Sequence, residues 1–379
     1  MYQNRDSHSG TSDPNARFFD GSFNMRHTTH VLAVVLTHIT NFINSFNPPL
    51  PNLVGIELLN EPAPGHHTEE LKHWYSDAIR SLRVINARVP IVISDSWHTD
   101  DYAGYLSHKA GSFQHPHIVL DHHLYRCFTQ EDINVLAYDH AGRLWDHNGS
   151  ARQTFARVTD KLESAGCDMI LGEWSGALNP KSLDPLPNHD HARSQYIRAQ
   201  VDLYEQYCAG HFFWTYKKQW PGDKGWSFRD AVRGGVFPKS IGLHLQRPLE
   251  HHPRETRLNA REAARSRSLG TLRVSVLPPH RPPTKCKRNR PFQGEHESYW
   301  SRYPGSYEHW RFSEGFIQGW DDAYTFFGSA GGPVLPELGF KGAWMKIREH
   351  AHVTNRGNGP CVWEYRKKYP IACNNHSLY

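Results

Sequence analysis

Val54 to Pro62, VGIELLNEP, ends an apolar run on an Asn-Glu pair and is then stopped by a proline. Met169 to Ser175, MILGEWS, repeats the pattern with Glu173. Short runs rich in Val, Ile, Leu and Met read as strands buried on both faces, as in a parallel sheet. In each, a carboxylate sits where the strand runs out. Parallel α/β barrels carry their chemistry at that end of the strand, so two acids distant in sequence can converge on one pocket. A strand-terminal Glu before Pro can by itself merely satisfy nearby backbone N–H groups. Two such ends, with aromatic and histidine-bearing strand ends between and after them, point instead to paired carboxylates and so to glycoside hydrolysis.

Around these two stretches the chain alternates short apolar runs with longer amphipathic ones, the sign of βα units. Strands are expected at Leu53 to Asn60, Pro90 to Asp95, His117 to Tyr125, Asp168 to Glu173 and His211 to Tyr216. Helices are expected at Thr28 to Phe46, Thr68 to Arg88, near Tyr102 to Lys109, at Ser150 to Gly166 and at His191 to Ala209. Ser150 reads as an N-cap and Gly166 as a C-cap. The stretch NPPLP, Asn47 to Pro51, breaks the first helix, and NHDH at Asn188 to His191 reads as a solvated loop. Five strands are visible where a closed barrel has eight.

Composition narrows the classes. The 379 residues can bury a large core, and aromatics reach 12%, with 12 Trp and 17 Tyr, a surplus suited to stacking on sugar rings as well as to core packing. No apolar run has the length of a membrane span, and the opening MYQNRDSHSG has no apolar core of a signal peptide. The net charge of +5 is local, because Arg254 to Arg290 holds eleven Lys or Arg against two acids. That tract lacks interleaved aromatics or a recognisable module and reads as a disordered, solvated linker, not as a nucleic-acid site. Six scattered cysteines show no CxxC spacing, so neither a zinc site nor a disulfide framework is indicated. Three segments are therefore expected: a catalytic domain over 1–245, the basic linker over 246–296, and an aromatic-rich extension over 297–379 packed on the first. In the extension, Phe312, Phe316, Trp320 and Tyr324 recur at four-residue intervals and make one face of a helix.

His123 and Tyr125 lie two apart on a strand and share a face, while His122 points the other way. The favoured register lines the pocket near Glu173 with His123 and Tyr125, where a phenol hydrogen bond can hold a carboxylate ionised. The competing register aims His122 inward. Metal coordination is not expected there, since neighbouring strand residues diverge and no third ligand is evident.

With those residues in view, the chain resembles the fungal exo-β-1,3-glucanases (glucan 1,3-β-glucosidases) of glycoside hydrolase family 5. The matching pieces are GIELLNEP (Gly55 to Pro62), VLDHHLY (Val119 to Tyr125), GEWSGAL (Gly172 to Leu178), FFWTYK (Phe212 to Lys217) and GWSF (Gly225 to Phe228), in the family's order. The part from Tyr299 to Trp344 is similar to the C-terminal portion of a subset of these proteins. The resemblance implies a TIM (β/α)8 barrel acting by a retaining mechanism, with Glu61 closing barrel strand 4 as general acid/base and Glu173 closing strand 7 as nucleophile. It implies Asn60 hydrogen-bonding the sugar 2-OH and Trp214, at the end of strand 8, flooring the subsite of the reacting sugar. It implies a β-glucan or oligosaccharide substrate, no cofactor, and an extracellular or cell-wall setting. A monomer is expected, without nucleic-acid or membrane partners.

The sequence departs from the family in two places. About 50 residues precede strand 4, where three βα units need about twice that, so strands 1 to 3 are expected to be missing. The basic tract has no family counterpart. Alternatives follow: a truncated, inactive carbohydrate-binding remnant, or an endo-β-glucanase or mannanase of the same family.

Overall fold

The computed structural model of the chain describes residues 17–47, 53–109, 117–238, 292–327 and 341–366. The chain divides into two compact units, Met1–His244 with Gly339–Ala343, and Leu245–Leu338 with Trp344–Tyr379. The basic tract at 254–290 and most of NPPLP lie outside the described residues.

In the first unit the elements run α1 (Ser22–Asn44), β1 (Ile56–Glu57), α2 (Thr68–Ile85), β2 (Ile91–Ser94), α3 (Thr99–Lys109), β3 (Ile118–Leu124), α4 (Gln130–Ile133), α5 (Ala137–Trp145), α6 (Ser150–Ala165), β4 (Asp168–Trp174), α7 (Pro180–Leu183), α8 (His189–Tyr207), β5 (Gly210–Phe213) and α9 (Phe228–Arg233). The strands form one sheet in the order β1-β2-β3-β4-β5, every neighbouring pair parallel. An α/β architecture with a parallel five-stranded sheet is thus present among the described residues. Residues Ile91 to Ser94 of β2 are all buried, which is why its first three, Ile91 to Ile93, are apolar without alternating.

The helices pack through stripes set by their sequence. In α6 Phe155, Val158, Thr159 and Leu162 are buried at three-and-four spacing, and Gly166 ends the helix at φ +78°, a conformation that costs other residues a Cβ clash. In α2 Leu71, Tyr75, Ala78 and Leu82 are buried, and Glu69 and Glu70 occupy the first turn, where the helix dipole favours acids. Trp74 Nε1 donates to Met25 O at 3.1 Å and to Thr29 Oγ1 at 2.9 Å, tying α2 to α1.

Several local expectations are corrected. Ser150 is the first helical residue and Gly149 the N-cap, with no side-chain cap bond. NHDH is no loop: Asn188 caps α8, its Oδ1 accepting from His191 N at 2.9 Å, and His189 to His191 form the first turn. Helix α1 buries Met25, Thr28 and Leu36, while Val34 and Val35 face outward. Helices α4, α5 and α7 were not legible; each is short, and α4 and α7 are held by the capping side chains of Thr129 and Asn179. Strand β1 is reduced to Ile56–Glu57 within the longer run expected.

In the second unit the helices are α10 (Phe292–Trp300), α11 (His309–Phe327) and, from Trp344 onward, α12 (Lys341–Arg356). His296 stacks on Phe312 with centroids 3.9 Å apart, and Phe316 is fully buried. Glu364, also fully buried, accepts from His296 Nε2, His309 Nδ1 and Glu308 N, each at 2.8 Å. Asp322 receives Trp344 Nε1 at 2.8 Å and both arms of Arg348. The side chains of Trp320 and Tyr324 lie outside what is described.

Candidate active site

The chemistry-bearing side chains gather where the parallel strands end. Glu61 follows β1 at φ +42°, a left-handed conformation costly for a residue with a Cβ and of the kind found at functional sites. His123 belongs to β3, Tyr125 follows its last residue, and Glu173 belongs to β4. His123 Nδ1 stands 2.8 Å from Glu61 Oε1 and 3.6 Å from Glu173 Oε2. Tyr125 donates its hydroxyl to Glu173 Oε2 at 2.6 Å. One carboxylate oxygen of Glu61, one of Glu173 and a His123 ring nitrogen all lie within 4.8 Å of one another.

His123 and Tyr125 do share the pocket face, although His123 makes its shorter bond to Glu61 instead of to Glu173. His122 is turned away from both glutamates, so the competing register is not adopted. Its Nδ1 lies 2.7 Å from Asp95 Oδ2, and its ring meets Phe155 edge-on. Asn60 is exposed immediately before Glu61. Trp214, following β5, is 38% exposed, and its backbone N–H donates to Trp174 O at 2.7 Å. Beside the glutamates, Tyr125, Phe128 and Trp226 form an aromatic group, with Tyr125 and Trp226 centroids 5.3 Å apart.

Beneath these residues lie two acids that the sequence reading overlooked. Asp121 Oδ2 is 3.0 Å from His123 Nε2, and its Oδ1 accepts from Gly172 N at 2.6 Å. A carboxyl oxygen of Glu57 lies within 4.8 Å of one of Asp121 and of a His123 ring nitrogen. A register shift between β3 and β4 pairs His122 with Leu171 and His123 with Glu173, leaving Gly172 as the extra residue of a bulge. A Cβ on Gly172 would fall inside the Asp121 carboxylate, so only glycine admits that carboxylate to the strand. The signal for both acids was strand alternation: Glu57 and Glu61, like Asp121, His123 and Tyr125, are spaced by even numbers.

The electrostatics follow from packing one imidazole among four carboxyls. Burial by itself would push His123 down, but its bonds to Asp121 and Glu61 overcome this and raise it to about 10, so the ring is an imidazolium at neutral pH. Burial, reinforced by Asp121, pushes Glu57 up to about 8. Burial also raises Glu173, against the opposing effects of the Tyr125 hydroxyl and the His123 charge. Tyr125 is pushed up by burial and by donating to Glu173, and therefore keeps its proton.

Three groups of side chains among the described residues bring metal-type donors within 4.8 Å: Glu61, His123 and Glu173; Glu57, Asp121 and His123; and, in the second unit, His296, His309 and Glu364. In each, the histidine nitrogens already face carboxylate oxygens at hydrogen-bond distance.

Glu61 and Glu173 thus come together at the strand ends, with His123 facing both and Tyr125 donating to Glu173. A model of the family described as cellulase, glycosyl hydrolase family 5, matches residues 13–219, more than half of the chain. The chain belongs to glycosyl hydrolase family 5. A second model, described as the C-terminal domain of glucan 1,3-beta-glucosidase 3, matches residues 284–374.

Among curated family members, an uncharacterised glycosyl hydrolase of Saccharomyces cerevisiae is 25% identical over 99% of this chain and 63% of its own length. The glucan 1,3-beta-glucosidase 3 of Schizosaccharomyces pombe is 28% identical over 96% of this chain and 64% of its own. A glucan 1,3-beta-glucosidase of Blumeria graminis is 26% identical over 52% and 50% respectively. The chain spans less than two thirds of the length of the first two relatives.

Proposed function

We propose that this family 5 chain is a retaining glycoside hydrolase that cleaves β-1,3-glucan from the chain end and releases glucose. The observation that carries the reading is the separation of Glu61 and Glu173, whose nearest carboxylate oxygens lie within 4.8 Å. Retaining glycosidases hold their carboxyls about 5–5.5 Å apart, whereas inverting ones need about 6.5–9.5 Å to admit a water. In this reading Glu173 attacks the anomeric carbon while Glu61 protonates the departing oxygen. Glu61 then takes a proton from the water that breaks the glycosyl ester. The Tyr125 bond to one oxygen of Glu173 leaves the other to act as nucleophile. The His123 cation stabilises the Glu61 carboxylate once its proton has left.

The exposed Asn60 beside Glu61 is suited to the sugar 2-OH, and the exposed Trp214 to stacking on the ring of the reacting sugar. Names of relatives that specify glucan 1,3-beta-glucosidase support the substrate class. In the same reading, β1 to β5 correspond to strands 4 to 8 of a (β/α)8 barrel.

The test is incubation of the purified chain with laminarin. Glucose should appear as the sole early product, with the β-anomer first by NMR, and Glu173→Gln should abolish it. Laminarin binding without turnover would favour the carbohydrate-binding alternative. Faster hydrolysis of cellulose or mannan than of laminarin would overturn the substrate assignment.

A further inference from the structure

Glu57 plays no part in the two-carboxylate reaction, yet it is an acid held in the body of the sheet with its Oε1 buried and without a hydrogen-bond partner. A buried, half-satisfied carboxyl is costly and needs a reason. Its neighbours supply one. The groups facing it are Asp121 and His123 of β3, Glu173 of β4 and Tyr75 of α2. A carboxyl oxygen of Glu57 lies within 4.8 Å of one of Asp121, and two buried carboxyls that close can share a hydrogen bond only if one retains a proton. Asp121 in turn accepts from Gly172 N on one oxygen and faces His123 Nε2 with the other, and His123 Nδ1 faces Glu61.

We infer that Glu57, as a neutral carboxylic acid, and Asp121, as the carboxylate it supports, form a relay that holds His123 as an imidazolium donating to Glu61. Both are positioning residues, and the inference rests on the proposed role of Glu61. The direction of each bond is set by what each group can donate. Glu57 gives its proton's hydrogen bond to Asp121, and Asp121 can only accept. His123 then has both ring N–H groups engaged, one on Asp121 and one on Glu61. Rotation of the ring or loss of a proton would take a donor from Asp121 or from Glu61. The Gly172 bulge is part of the device, because it brings a backbone N–H to the second oxygen of Asp121.

The pH consequence has a definite sign. Glu57 loses its proton near pH 8, which places a second buried negative charge against Asp121 and removes the donor. Activity should therefore fall as pH rises through this region, and a side chain that donates but cannot ionise should move the fall to higher pH.

The experiment compares the wild-type chain with Glu57→Gln, Glu57→Leu and Asp121→Asn, each confirmed folded by its thermal melt. The His123 imidazole titration is followed by NMR, and kcat and KM on laminarin are measured from pH 4 to 10. In Asp121→Asn the His123 titration should drop by about one unit or more, and kcat should fall about tenfold or more with little change in KM. Glu57→Gln should shift the alkaline limb upward and lose less kcat at pH 6 than Glu57→Leu. If Asp121→Asn does not fold, the Glu57 pair carries the comparison. A His123 titration indifferent to Asp121→Asn, or an alkaline limb identical in wild type and Glu57→Gln, overturns the relay. If the wild type turns over no glucan, the proposed function has failed, while the His123 titration still decides the relay.

Discussion

Tyr125, just past the end of β3, and Glu173, on the neighbouring parallel strand β4, meet at 2.6 Å, with the phenol donating to the carboxylate. Burial raises Glu173 and this bond opposes the rise, so its removal should leave the nucleophile harder to ionise. For Tyr125→Phe, kcat on laminarin is expected to fall about 10- to 100-fold, the worth of a hydrogen bond to a charged group. The acid limb of the pH profile should move to higher pH. An unchanged acid limb in steady-state kinetics would show that the phenol only packs.

Gly172→Ala adds one carbon where the Asp121 carboxylate stands. Either β4 shifts or Asp121 is displaced from Gly172 N and His123, and both cost stability. A loss of about 1–3 kcal/mol is expected, measured as the urea midpoint, together with reduced turnover. Wild-type stability in this variant would contradict the close packing described.

Asp95 holds three hydrogen bonds, from His122 Nδ1 at 2.7 Å, Thr99 Oγ1 at 2.6 Å and Trp97 N at 2.9 Å. Burial would raise this carboxyl, but the His122 bond and charge, with the Thr99 and Trp97 bonds, lower it below its ordinary value. A depressed folded-state value means the unfolded chain binds the proton more readily. The contribution is therefore present above about pH 4 and lost as pH falls below that. Urea midpoints measured from pH 3 to 7 should decline toward acid in the wild type and decline less in Asp95→Asn. His122→Ala should destabilise near pH 7 with little direct effect on chemistry, since the ring faces away from Glu61 and Glu173.

Asn188 caps α8 through His191 N. Asn188→Ala should cost about 1 kcal/mol, visible as a lower thermal midpoint with laminarin kinetics unaffected. Asn188→Asp should restore most of the loss, because an aspartate oxygen accepts the same bond and favours the helix N-terminus.

Much of the frame was written locally along the chain. The apolar runs that lead into Asn60-Glu61 and into Glu173 mark strands of a parallel sheet, whose chemistry gathers at the strand ends. Alternation along β3 put His123 and Tyr125 on one face, and Gly166 marked the end of α6, since both follow from the bonding of a few consecutive residues. The tertiary structure alone decided that His123 and not His122 turns toward the glutamates, and that its nearer partner is Glu61. It alone set Glu57 and Asp121 beneath them and opened the Gly172 bulge that admits Asp121. These depend on the register between strands and on how close unrelated side chains come when the sheet is packed. Such through-space distances fix which carboxyls are buried and which proton each keeps, and no stretch of sequence encodes them by itself.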